Sequence, residues 1–186
     1  PQAKAETVSE AFQALLAFTA PPKLDRVDGM ARHDEPRETK AIVAVIQPHV
    51  AAMLSLANPD LKAAAIELMV KLELQVEAPA LQAIIKDSQA KSEQRVGALR
   101  LMAAQHHNDV AFAETLALAS AKTSPVALRM ESLVQTFTHQ PTRAVTEASR
   151  VLEQSSVPEK QAALKLLGSS KSQEAATLMD SWLQRL

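Results

Sequence analysis

Apolar positions along this chain recur at helical spacing, and the recurrence itself repeats. Val8, Phe12, Leu15 and Leu16 fall at i, i+4, i+7 and i+8, which predicts an amphipathic helix over 6–18. The run "TKAIVAVIQPHVAAMLSL" predicts an apolar helix over 39–56, with a kink or a split into two short helices at Pro48, which has no backbone donor. Between these two lies 19–38, the one long irregular segment, with three Pro, one Gly and mixed charges. Beyond residue 56 the punctuation becomes regular. Asn58-Pro59, Ser92, Ser124-Pro125 and Ser156 each read as a helix start, with Ser156 and Glu159 forming a capping box. A second helix follows each of these, predicted over 77–87, 108–120, 142–153 and 172–186.

The first helices share a motif. "KAAAIELM" (62–69), "RVGALRLM" (95–102) and "KQAALKLL" (160–167) each carry a base, two spacers, a small residue, a large aliphatic and a further apolar pair. Lys62, Arg95, Arg129 and Lys160 stand 33, 34 and 31 residues apart. Three places on come Ala65, Ala98, Ser132 and Ala163, then Ile66, Leu99, Leu133 and Leu164. The copy at 129–137, "RMESLVQTF", is the weakest. A single helical hairpin cannot cover its own apolar face, whereas stacked hairpins make a continuous core. The small residue admits the neighbouring helix and the aliphatic fills the space between layers. The fold predicted is all-α: an α–α solenoid of about four to five two-helix repeats. Residues 1–56 form an atypical first unit, and the repeats span about 57–90, 91–122, 123–155 and 156–186. A plain helix bundle is the alternative.

The helices "PDLKAAAIELM", "SEQRVGALRLM" and "VPEKQAALKLL" resemble the first helix of HEAT repeats. The likeness covers about residues 57–186, and it implies a right-handed superhelix. The units are short for HEAT, and the usual Asp at the turn between helices is irregular here. The order of an N-terminal helix, a Pro-rich loop, "QPHV" and short HEAT-like units is also similar, more faintly, to a segment of large secreted bacterial proteins. Those join a sugar-dehydrogenase-like propeller to a cytochrome c-like haem domain. That resemblance implies a helical spacer, in the periplasm or outside the cell rather than in the cytoplasm.

Composition changes the picture in a few places. Apolar residues make up 47% of the 186 and aromatics only 3%, with no Tyr, so the core is aliphatic and suited to close helix packing. The net charge of −1 argues against a nucleic-acid partner, whose affinity rests on excess Lys and Arg. The absence of Cys excludes disulfides, thiolate metal sites and haem attachment within the chain. No apolar stretch reaches the length of a membrane span. A start without Met and without a signal-peptide pattern reads as an excised or processed segment.

Candidate chemistry is sparse. Adjacent His106 and His107 diverge on a helix and are expected in a solvated turn; His49, behind Pro48, is expected buried or cap-bonded, and His139 in a turn. Asp25, Arg26, Asp28, His33, Asp34 and Glu35 concentrate charge in the 19–38 loop, read as a solvated connector. The bases Lys62, Arg95, Arg129 and Lys160 are expected to be solvated, or paired with Glu67, Glu93, Glu131 or Glu159. Met69, Met102, Met130 and Met179 read as core fillers. No catalytic, metal or cofactor residue is assigned. The reading is a non-catalytic scaffold whose second helices present Gln82, Lys86, Glu114, Arg143, Glu147 and Arg150 to a protein partner or a flanking domain. The apolar end at Trp182, Leu183 and Leu186 suits an end-to-end contact or a homodimer. The alternatives are a HEAT-like enzyme, glycosylase-like or lyase-like, and the redox-protein spacer.

Overall fold

The structure, a computed structural model, describes residues 4–19, 24, 28–31 and 38–185. Its regular elements are helices. α1 (Ala5–Thr19) turns the predicted stripe inward, with Phe12 buried, and packs on α4 (Pro59–Lys71). The predicted break at Pro48 divides the next run into α2 (Lys40–Ile46), a 3-10 turn (Gln47–His49) and α3 (Val50–Leu54). Three residues per turn shift the helix phase there. Val50 and Met53 take the core positions, and His49 is exposed, not buried or cap-bonded as expected. Within 28–31, Gly29 adopts φ 67, a conformation that favours glycine, and Leu24 pairs with Ala31 in an isolated bridge. Of the charged residues expected in this loop, Asp25, Arg26, His33, Asp34 and Glu35 lie outside the described residues.

Local signals account for the helix ends only in part. Asn58 caps α4: its Oδ1 accepts from the backbone N–H of Asp60 at 2.9 Å and of Leu61 at 3.2 Å. The far end closes through Glu73, at φ 53, with the Leu74 N–H donating back to the Met69 carbonyl at 3.0 Å. α5 (Ala78–Lys86) carries Pro79 in its first turn. α6 (Ser92–His106) begins one residue earlier in role than expected. Lys91 is the cap, its N–H donating to Gln94 Oε1 at 2.9 Å, so Ser92 already lies in the helix. α7 (Val110–Ala119) is followed by a loop in which the Ser124 hydroxyl donates to the Leu118 carbonyl at 3.0 Å. Ser124 therefore closes the preceding turn, and Pro125, not Ser124, is the residue that leads into α8 (Val126–His139). α9 (Pro141–Gln154) opens after a single residue, Gln140. α10 (Val157–Ser169) keeps the expected link between Ser156 and Glu159, whose Oε2 accepts from the Ser156 N–H at 3.1 Å. α11 (Gln173–Leu183) is capped by the Ser172 hydroxyl.

Packing follows chain order. α1 packs on α4, α4 on α6, α6 on α8 and α8 on α10; α5 packs on α7, and α9 on α11. The small motif residues Ala65, Ala98, Ser132 and Ala163 are all buried, as are Ile66, Leu99 and Leu133 beside them. Polar side chains tie neighbouring layers together over 28 to 35 residues of sequence. The extended link between α4 and α5 is held from both sides. Gln47 embraces the Gln75 backbone, its Nε2 donating and its Oε1 accepting, each at 2.9 Å. Gln105 takes the Val76 N–H at 2.9 Å and gives its own N–H to the Leu74 carbonyl at 2.7 Å. Gln94 donates to the Pro59 carbonyl at 2.7 Å. Gln82 donates to the Ala111 carbonyl and the Thr115 hydroxyl, both at 3.1 Å.

α4 and α6 approach closely at Gly97. A Cβ placed there would stand 2.6 Å from Ile66 Cγ2. That methyl sits on the branch point of a buried side chain and cannot swing away. Gly97→Ala removes the helix cost of glycine, about 1 kcal/mol. It also adds an overpacking cost of about 1–3 kcal/mol. The expected net result is a loss of about 1 kcal/mol by urea unfolding. In an Ile66→Ala background the same change becomes stabilising, and additive effects of the two substitutions would refute the contact.

Candidate functional site

The six residues expected to form a partner-facing wall separate into two groups. Gln82 is half-buried and spends its amide on α7, and Lys86 and Glu114 are exposed. Arg143 and Glu147 of α9 face α7 across a cleft of about 270 Å³, and Arg150 lies about one turn farther along the same helix. Leu116, Ala117, Ser120, Thr136, Gln140, Thr142 and Thr146 complete its lining. Beside it, Arg150 forms a two-point pair with Glu147, with nitrogen–oxygen distances of 2.5 and 3.3 Å, and reaches the Ser120 carbonyl at 3.5 Å. Arg143 donates to Gln140 Oε1 at 3.0 Å and is otherwise exposed. The cleft therefore presents hydroxyls and a guanidinium above an apolar floor.

A second concavity lies along α4 and α6. It measures about 760 Å³, floored by Ala63, Ala64, Val70, Val96 and Gly97 and rimmed by Glu67, Lys71, Glu93 and Arg100. The Lys91–Asp60 ion pair links the first turns of the two helices. Arg100 is tied to Glu131 of α8 at 2.7 Å.

The four motif bases do not all stay in water. Lys62 and Lys160 are partly exposed, but Arg95 is only 7% exposed, its Nε donating to the Ile85 carbonyl at 2.8 Å. That carbonyl is one of the last in α5, where the helix has no backbone donor left to offer. Arg129 pairs with Glu159 through two bonds, at 2.7 and 2.9 Å, and also donates to the Ser124 carbonyl at 2.5 Å. Glu159 is 3% exposed, and the Arg129 guanidinium holds its carboxyl down to about 2 against the opposing effect of burial. Glu131 and Glu159 do pair with bases, but Glu131 takes Arg100, which lies outside the motif.

The expected solvated turn holds for His107, which is exposed between α6 and α7, but not for His106, the last residue of α6. His106 places Nδ1 3.1 Å from Asp109 Oδ2 and Nε2 2.7 Å from the Val76 carbonyl. His107 turns the other way: its Nδ1 lies 3.1 Å from the Ala103 carbonyl, and its ring stacks on His139 with centroids 4.7 Å apart and planes at 26°. His139 is the last residue of α8, not part of a turn, and Phe112 meets its ring edge-on at 5.7 Å. Burial, with the charge of His107 second, lowers its pKa. The 32 residues between the two rings, close to the motif period, were the one sequence signal that could have joined them.

At the C-terminal end, Trp182 is half-buried against the core beside Leu178 and Met179, Leu183 is 53% exposed, and Leu186 lies outside the described residues. Among the described residues no three His, Asp or Glu side chains gather as metal ligands, and no helix is long and apolar enough to cross a membrane. Comparison with protein-family models, with curated proteins and with solved structures finds no match for this chain.

Proposed function

We propose that the chain is a HEAT-like, right-handed α-solenoid that acts as a non-catalytic scaffold, holding a protein partner or a flanking domain. The observation that carries this reading is the chain-order ladder of side-chain bonds at offsets of 28 to 35 residues, as in Gln47–Gln75, Arg100–Glu131 and Gln94–Pro59. Such a ladder makes each layer rigid against the next, which is what a presenting surface needs. Residues 1–56 serve as an atypical first layer, with α1 standing beside α4 as α4 stands beside α6. The partner surface is the α9 side of the cleft, where Arg143 is exposed, with Lys86 and Glu114 on the same row of helices. Leu183, with Trp182 and Leu186, remains the proposed end-to-end contact.

Solution scattering tests the architecture. A compact chain of this length has a radius of gyration of about 16 Å. The solenoid requires a value clearly above that, and a compact value in monomeric protein would sink the reading. Photo-crosslinking residues placed at Arg143 and Glu114 test the surface: discrete adducts in the native host are expected there and not from Lys165 on α10. Equal labelling at all three sites would reject it.

A further inference from the structure

The buried apolar residues fall into two clusters that divide within α8. One runs from Phe12 to Leu128, and the other from Leu133 to Ala175. The 270 Å³ cleft opens between α7 and α9 beside this division, where α7 packs chiefly on α5, α6 and α8. The His107–His139 stack crosses the division at the last turn of α8, against Phe112 of α7. Thr136 and Gln140, which line the cleft, stand three residues before and one after His139. We propose that α8 is an acid-opened seam, with the stacked rings of His107 and His139 as its latch.

Two neutral imidazoles stack without penalty, whereas two imidazolium rings at this distance repel. His139 is partly buried and His107 exposed, and few acids face the pair. Across the α6–α7 turn, Asp109 is engaged by His106. From α9, Arg143 is tied to Gln140, and Glu147 to Arg150. On α7, Glu114 is exposed. On α8 itself Glu131 holds Arg100 two turns upstream, and Glu159 of α10 holds Arg129 farther up still. Among the described residues no carboxylate bonds either stacked ring. The C-terminal carbonyls of α8 would favour a cation at His139, yet its pKa is lowered, so burial and His107 outweigh them. A histidine held neutral in the closed form stabilises closure above its ordinary pKa and loses that contribution as pH falls below it. Acid then drives the last turn of α8 away from the α6–α7 turn and widens the cleft. None of this depends on the scaffold reading.

Hydrogen exchange of the whole chain at about pH 7.5 and about pH 5.5, corrected for intrinsic rates, tests the proposal. Segments 103–113 and 134–147 are expected to lose protection about tenfold in acid, while α4 and α5 keep theirs. His139→Phe keeps a ring on His107 and Phe112 without a charge, and should hold protection at both pH values. Unchanged protection in the wild type, or equal opening in the His139→Phe protein, would overturn the seam. Should His139→Phe fail to fold, His107→Gln removes the facing charge, and an acid response as large as the wild type's would be equally fatal.

Discussion

Replacing Phe112 with alanine is expected to cost about 3–5 kcal/mol, enough to unfold much of the protein at ambient temperature. Phe112 is fully buried near the start of α7, in a chain with four Phe and one Trp, so little else of its size can fill the space. Its neighbours come from several helices and cannot collapse together into the cavity, which sets the upper range of the cost. The ring also supplies the edge contact to His139, worth about 0.5–1.5 kcal/mol beyond buried area. Phe112→Leu separates the two effects, because it keeps most of the volume and loses only the aromatic edge. It should cost about 1.5 kcal/mol. Urea unfolding followed by circular dichroism measures both, and a Phe112→Ala loss below about 1 kcal/mol would show that α7 is not seated as described.

The second large effect is the Arg129–Glu159 pair, and it is expected to be asymmetric. Arg129→Met strands a carboxylate that is 3% exposed and keeps only Ser156 as a partner. That loss should approach about 4 kcal/mol, within the range for breaking a buried pair from one side. Glu159→Gln leaves Arg129 with the Ser124 carbonyl and a side chain 20% exposed, and the Gln oxygen still accepts from Ser156. About 2 kcal/mol is expected there. The folded carboxyl lies at about 2, below its ordinary 4.5. Its contribution is complete above about pH 4.5 and is lost as pH falls from there toward about 2, amounting to roughly 3 kcal/mol. Glu159→Gln should flatten that part of the stability–pH curve. A variant curve parallel to the wild type's between those values would contradict the pairing.

The local half of this architecture could be read in advance. The 6–18 helix, the break at Pro48, the Asn58 cap and the Ser156–Glu159 link all rest on interactions within about five residues, which sequence spacing expresses directly. The capping roles expected of Ser92 and Ser124 fall to Lys91 and Pro125 because several nearby groups compete for the same role. The Gln94 amide reaches the Lys91 N–H, and the Leu118 carbonyl draws off the Ser124 hydroxyl. Of the candidate surface, Arg143, Glu147 and Arg150 share one helix, so local spacing sets them side by side, while the partners of Gln82 lie 29 and 33 residues away, beyond what local spacing expresses.

Sequence alone determined that this chain is helical, where its helices break and which positions carry small residues into the interior. Those properties follow from backbone periodicity and side-chain size, which each residue carries with it. The tertiary structure alone decided which charges leave water: Arg95 is buried against a carbonyl at the end of α5, Glu131 takes Arg100, and His107 finds His139. A polar side chain has many partners of similar strength within reach, and only the packed position of the neighbouring layer selects among them.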